Sequence, residues 1–221
     1  MEQELENVYW MGGAGCSGKS TVAELLAAQF DLELYSGDSW LHRLDRSDPQ
    51  IHPFLTRINR FRKGEIELEK HPFLWPPPEQ MQSLIQGWTE YFPFYVEDLQ
   101  RYPAGTQVII EGAQMLPEFL EGLVDPKRAI YLNATESFIR EWSLSRSAEQ
   151  AHLRRVADPD TAAENRIQVT ILIGQYISRS ARDRGFRVVS VDGSKTPQEV
   201  AGIVAEHFGL VAATKHKMSP R

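Results

Sequence analysis

Gly12-Gly13-Ala14-Gly15-Cys16-Ser17-Gly18-Lys19-Ser20-Thr21 is the stretch that decides the fold. Within it, Gly13 to Ser20 matches G-x-x-x-x-G-K-[ST] at every fixed position. Upstream, Val8-Tyr9-Trp10-Met11 is a short apolar run suited to a buried strand, and downstream Val22, Leu25, Leu26 and Phe30 share one helical face. Strand, glycine loop and helix together make the phosphate-binding loop, the Walker A motif. Its glycines let backbone N–H groups curl around phosphate oxygens, and the helix N-terminus adds partial positive charge. Lys19 is placed to reach the β- and γ-phosphates and the Ser20 hydroxyl to ligate Mg²⁺. The expected triphosphate site is therefore Gly13, Ala14, Gly15, Cys16, Ser17, Gly18, Lys19, Ser20 and Thr21.

Composition narrows the setting. A length of 221 residues suits one domain with an insertion, and 42% hydrophobic residues can fill its core. A net charge of −6 argues against nucleic acid or an anionic membrane as the main partner. No apolar run approaches the roughly 20 residues of a membrane span. The N-terminal stretch is acidic, the reverse of a secretory signal, and Cys16 is the only cysteine, so a reducing cytoplasmic setting is expected. Cys16 reads as a small filler of the loop that could also make it thiol-sensitive. A basic tail is expected over residues 213–221.

Five apolar runs alternate with helical patterns: Val8–Met11, Leu32–Tyr35, Gln107–Ile110, Ala129–Leu132 and Arg187–Val191. Runs without polar alternation suit a parallel sheet covered on both faces, and the intervals allow right-handed crossovers. Asp158-Pro159 opens a helix that stops at Gly185. Thr196-Pro197-Gln198-Glu199 is a capping box opening a last helix, with Gly209 at its end. About seventy residues separate Tyr35 from Gln107, too many for a simple crossover. This interval, residues 39–104, reads as a helical acceptor-binding insertion over the carboxyl ends of the strands.

Phosphoryl transfer needs the γ-phosphate held in line, its charge neutralised and the acceptor hydroxyl oriented. Asp38, at the end of the second strand, is placed to accept a proton from that hydroxyl, or to cap the helix that Trp40 to Leu44 would form. Glu111 ends the third strand, where a carboxylate holds Mg²⁺, reaches the acceptor or pairs with an arginine. Beyond the fourth strand lies an expected lid over residues 140–160 carrying Arg146, Arg154 and Arg155, with Arg166 further on. Such arginines could close over the triphosphate, or merely pair with Glu136, Glu141 and Glu149 on a solvated helix face. Phe73, Trp75, Trp88, Tyr91 and Phe94 could stack on a ring-bearing acceptor or form the insertion's own core. His42, His52 and His71 have no metal-ligand spacing.

With these residues in place, the chain resembles the small-molecule and nucleotide kinases of the P-loop superfamily. The resemblance rests on Val8–Thr21, Asp38, Ile110-Glu111-Gly112, Ile130–Asn133 and Val189–Gly193. It implies an α/β, three-layer fold with a five-stranded parallel sheet in order 2-3-1-4-5, helices on both faces and a helical substrate-binding insertion. It implies one kinase domain over residues 1–212, with Asp192 and Gly193 near the adenine. The Gly37-Asp38-Ser39-Trp40 turn is similar to those of chloramphenicol phosphotransferase and gluconate kinases, the former using its aspartate as base. The Arg-rich, glycine-flanked lid of adenylate kinases is not found.

The expected activity is transfer of the γ-phosphoryl group of ATP, with Mg²⁺, to a hydroxyl of a small-molecule acceptor. Lys19, Asp38, Glu111, Arg146 and Arg154 form the catalytic set, and Ser20 and Glu111 the metal set. A nucleotide kinase gripping an acceptor phosphate with Arg57, Arg60 or Arg62 is the second reading, and a non-catalytic nucleotide-binding module the third. A switch GTPase is opposed by Asn133-Ala134-Thr135-Glu136, which is no guanine-reading Asn-Lys-x-Asp.

Overall fold

The apolar runs form five strands: β1 (Val8–Gly12), β2 (Glu33–Ser36), β3 (Val108–Glu111), β4 (Ala129–Ala134) and β5 (Arg187–Val191). The structure is a computed structural model that describes residues 5–38, 44, 46–65, 72–145 and 156–211, with no side-chain description at 61, 62, 144 and 145. The strands lie in the order β2-β3-β1-β4-β5, every neighbouring pair parallel. Parallel neighbours need crossovers, and the helices supply them. These are α1 (Lys19–Phe30), α2 (Pro53–Arg62), α3 (Pro77–Leu99), α4 (Pro117–Leu120), α5 (Glu136–Ser145), α6 (Pro159–Asp183) and α7 (Pro197–Phe208).

Side chains alternate across a strand, so each central strand feeds two cores. Tyr9, Met11, Ile109, Ile130 and Leu132 pack with Val22 and Leu26 of α1 and Val200, Val204 and Phe208 of α7. Val8, Trp10, Ile110 and Tyr131 point the other way, into Trp88, Tyr91 and Tyr95 of α3 and Val169, Ile173 and Ile177 of α6. The result is three layers. Coverage on both faces holds for β1, β3 and β4; the edge strands differ, with β2 burying only Tyr35 and β5 only half-covered. An edge strand has a neighbour on one side alone, so its apolar run cannot be fully enclosed.

Local signals set the helix ends. The Thr196 hydroxyl accepts from the Glu199 N–H at 3.3 Å while Glu199 accepts from the Thr196 N–H at 2.7 Å, and Gly209 ends α7 at φ 65°. Asp158 accepts from the Thr161 N–H at 3.0 Å, and Gly185 follows α6 at φ 75°.

The described part of the long interval includes α2 and α3, and α3 packs on one face of the sheet rather than over the strands' carboxyl ends. The Glu90 carboxylate on α3 accepts from the N–H groups of Phe54 and Leu55 at 3.1 and 2.9 Å, capping α2 from outside. Tyr95 donates to the Gly37 carbonyl at 2.7 Å and Tyr35 to Asp98 at 2.8 Å, pinning α3 to β2. Among the described residues no helix is long and apolar enough to cross a membrane.

Candidate active site

Register brings the site together. Met11 of β1 and Ser36 of β2 both stand level with Glu111 of β3, so the three carboxyl ends open on one cavity. It holds about 860 Å³ and is lined by the loop from Gly15 to Thr21, by Asp38 and by Glu111.

The loop is forced by its glycines where forcing is needed. Gly13 has φ 129°, and a Cβ there would fall 1.8 Å from the Leu132 carbonyl oxygen. Gly18 has φ 74° and precedes α1, whose N-terminus carries no side-chain cap. Those uncapped N–H groups suit an anion. Gly13 and Ala14 are buried beneath the cavity rather than lining it. The Ala14 carbonyl instead accepts from Lys19 Nζ at 2.7 Å and from Ser17 Oγ at 2.9 Å. Cys16 takes the left-handed region at φ 62° and packs against the cluster of Ala134, Ile139 and Ile171.

Lys19, Ser20 and Glu111 line the cavity together, and Ser20 and Glu111 are hydrogen-bonded to each other. Glu111 is buried; its Oε2 accepts from Ser20 Oγ at 3.2 Å and its Oε1 from Ser36 Oγ at 3.1 Å. Burial pushes the Glu111 carboxyl above the ordinary carboxylate range, with Lys19 and both hydroxyls opposing. Burial likewise pushes the Lys19 ammonium below its usual value, against the pull of Glu111 and Asp38. Each burial effect disfavours a charge, and both relax if polyanion and cation enter together. A hydroxyl plus a carboxylate matches the sparse protein ligation that Mg²⁺ accepts alongside phosphates and water. Among the described residues no three of His, Cys, Asp and Glu cluster as a separate metal site.

Asp38 is exposed to the cavity, and its Oδ1 accepts from Gln114 Nε2 at 3.0 Å. The far wall comes from α5, α6 and the turn after β5. Phe138 and Trp142 stack in parallel at 6.4 Å, facing Arg166, Gly193 and Lys195. Their spacing of four residues on a helix made the pair readable in the sequence. Gly193 lines the cavity, whereas the Asp192 carboxylate accepts from Ser194 N–H and Oγ at 3.0 and 2.6 Å. An aspartate before Gly-Ser satisfies its own turn first.

Other candidates fall elsewhere. Arg146, Arg154 and Arg155 lie outside the described residues, as do His42, His71 and the Trp40 segment that Asp38 was expected to cap. Arg140 pairs with Glu136 at 3.0 Å and Glu164 at 3.4 Å, the solvated-face arrangement. Arg57 lies over the Trp75 ring at 4.0 Å and Arg60 pairs with Glu65 at 3.2 Å; neither lines the cavity, and the Arg62 side chain is outside the described residues. Trp88 and Tyr91 are buried in the core, with Phe94 against Tyr91 at 5.3 Å.

No protein-family model matches the sequence, and neither does any curated protein. Solved structures are similar to this chain, and two of them are as follows. One is a candidate kinase from Chloroflexus aurantiacus J-10-fl, 17% identical, with 90% of this chain and 97% of that one covered at a TM-score of 0.45. The other is the YorR protein of Bacillus subtilis in complex with phosphorylated GDP, 14% identical, with 92% and 96% covered at 0.44. Similarity at this level leaves the chemistry of this chain to its own residues.

Proposed function

We propose that the protein is an ATP-dependent phosphotransferase that moves the γ-phosphoryl group to a hydroxyl of a small-molecule acceptor. The observation that carries this reading is that Lys19 and Asp38, one cationic and one anionic, open on the same cavity from the segments that follow β1 and β2, the two strands flanking β3. A protein that only bound a triphosphate would need the first and not the second.

In this reading the loop N–H groups and the α1 N-terminus hold the phosphates, and Lys19 exchanges its Ala14 carbonyl for phosphate oxygen. Ser20 and Glu111 would hold Mg²⁺, which when bound would neutralise phosphate charge. Phe138 and Trp142 offer the base an aromatic wall. The acceptor oxygen attacks the γ-phosphorus, its proton passes to Asp38, and the bond to the β-phosphate oxygen breaks to release ADP. The expected lid arginines, Arg146 and Arg154, would close the cavity and exclude water, since an open γ-phosphate is lost to hydrolysis.

The test is ATP consumption with Mg²⁺ against sugars, nucleosides, nucleotides and hydroxylated antibiotics. The expected outcome is that one class raises turnover well above hydrolysis. If none does, the kinase reading fails and a non-catalytic nucleotide-binding module takes its place.

A further inference from the structure

We infer that Gln114 is the residue that positions Asp38 for phosphoryl transfer, an inference that rests on the kinase reading above. Gln114 is 4% exposed, whereas Asp38 stands open to the cavity, so a buried amide holds one oxygen of an exposed carboxylate. A carboxylate can only accept, so Nε2 must be the atom facing Asp38; the flipped amide would set two oxygens against each other.

The backbone makes room for this contact. A Cβ at Gly112 would fall 2.3 Å from Gln114 Oε1; one at Gly37 would fall 2.6 Å from the Glu111 carbonyl oxygen and 3.0 Å from Gln114 Oε1. Two glycines, one after each of two neighbouring strands, thus form the slot in which the amide lies. The Oε1 atom is buried without a hydrogen-bond partner among the described residues.

The choice of an amide has chemical sense. An ion-pairing lysine or arginine at this place would stabilise the Asp38 charge and weaken it as a base. An amide fixes Oδ1 without adding charge and leaves Oδ2 for the acceptor proton. Among the described residues, the other charged or titratable groups that interact with Asp38 include Lys19 of α1, Glu111 of β3 and Tyr95 of α3. Gln114 is the member of that ring that hydrogen-bonds the carboxylate.

The experiment is acceptor-dependent turnover of Gln114→Met, Gln114→Glu, Asp38→Asn and the Asp38→Asn/Gln114→Met double variant, with the acceptor that most stimulates the wild type. Gln114→Met keeps the volume and removes the donor; kcat should fall on the order of 10- to 100-fold with KM for ATP within about twofold of wild type. The double variant should be no slower than Asp38→Asn alone, because the amide acts only through that carboxylate. Gln114→Glu, which keeps the side-chain size and carries the test if the methionine variant does not fold, should move the acid limb of the kcat profile up by about one unit, since two adjacent carboxylates resist joint ionisation. Wild-type kcat in Gln114→Met beside a slow Asp38→Asn, multiplying losses in the double variant, or an unmoved acid limb in Gln114→Glu each overturns the positioning role and leaves the kinase reading intact. An Asp38→Asn variant as fast as wild type, or no acceptor-dependent turnover at all, overturns both.

Discussion

Lys19 and Asp38 face one cavity but are put there in opposite ways. The donor half is local: Lys19 bonds Ala14 and Ser17, five and two residues away. The acceptor half is assembled from a distance, with Gln114 to Asp38 spanning 76 residues, Ser36 to Glu111 75 and Tyr95 to Gly37 58. A locally built half survives whatever keeps its strand and helix. A remotely built half depends on the register of β2 against β3 and on the docking of α3. Triphosphate binding should therefore outlast phosphoryl transfer under mild perturbation.

The largest effects separate the halves directly. Asp38→Asn should cut transfer about 10²- to 10⁴-fold while leaving triphosphate affinity as it is. Lys19→Ala should cost about 10²- to 10³-fold and weaken triphosphate binding as well. Fluorescent-nucleotide titration beside turnover reads the split; equal loss of affinity in both variants would dissolve the two-half picture.

That picture explains what was legible in the sequence. Val8–Thr21 and the capping box at Thr196 declare themselves because their interactions lie within a few residues. Asp38 and Glu111 were legible because a carboxylate ending a buried run has few structural reasons to be there. Gln114 carried no signal: an amide three residues past a strand looks like any loop residue until β2 and β3 are paired. Arg57 and Arg60 misled for the converse reason, since charge in a sequence does not say which surface it lies on. Asp192 was read for the cavity, although Gly193-Ser194 beside it already spelled a turn that uses its carboxylate.

A pH profile sharpens the contrast at Glu111, the group both halves share. Burial raises its folded value above that of the unfolded chain, so the charged form that would hold a cation is lost on acidification earlier than for an exposed glutamate. For the free enzyme, kcat/KM for MgATP should fall about tenfold per pH unit below a midpoint above the ordinary carboxylate range. The sign for stability is opposite: the neutral form is favoured in the fold, so Glu111 costs stability as pH rises through that midpoint. A midpoint at the ordinary glutamate value would break the account of its burial.

Tyr95→Phe probes the docking of α3 alone. Removing the hydroxyl leaves the buried Gly37 carbonyl unpaired and should cost about 1–3 kcal/mol in denaturant unfolding. Transfer should fall more than triphosphate affinity, and the reverse order would place Gly37 in the donor half. The smallest effect serves as a baseline. Thr196→Ala breaks the α7 capping box and should cost about 1 kcal/mol in thermal unfolding, with turnover unchanged where the fold is intact.

The most direct measurement is ³¹P NMR of the wild type and Asp38→Asn with ATP, Mg²⁺ and the stimulating acceptor. The account predicts a phosphate-ester resonance that grows in step with ADP in the wild type and is nearly lost in Asp38→Asn. ADP matched only by inorganic phosphate, at the same rate in both proteins, would contradict it.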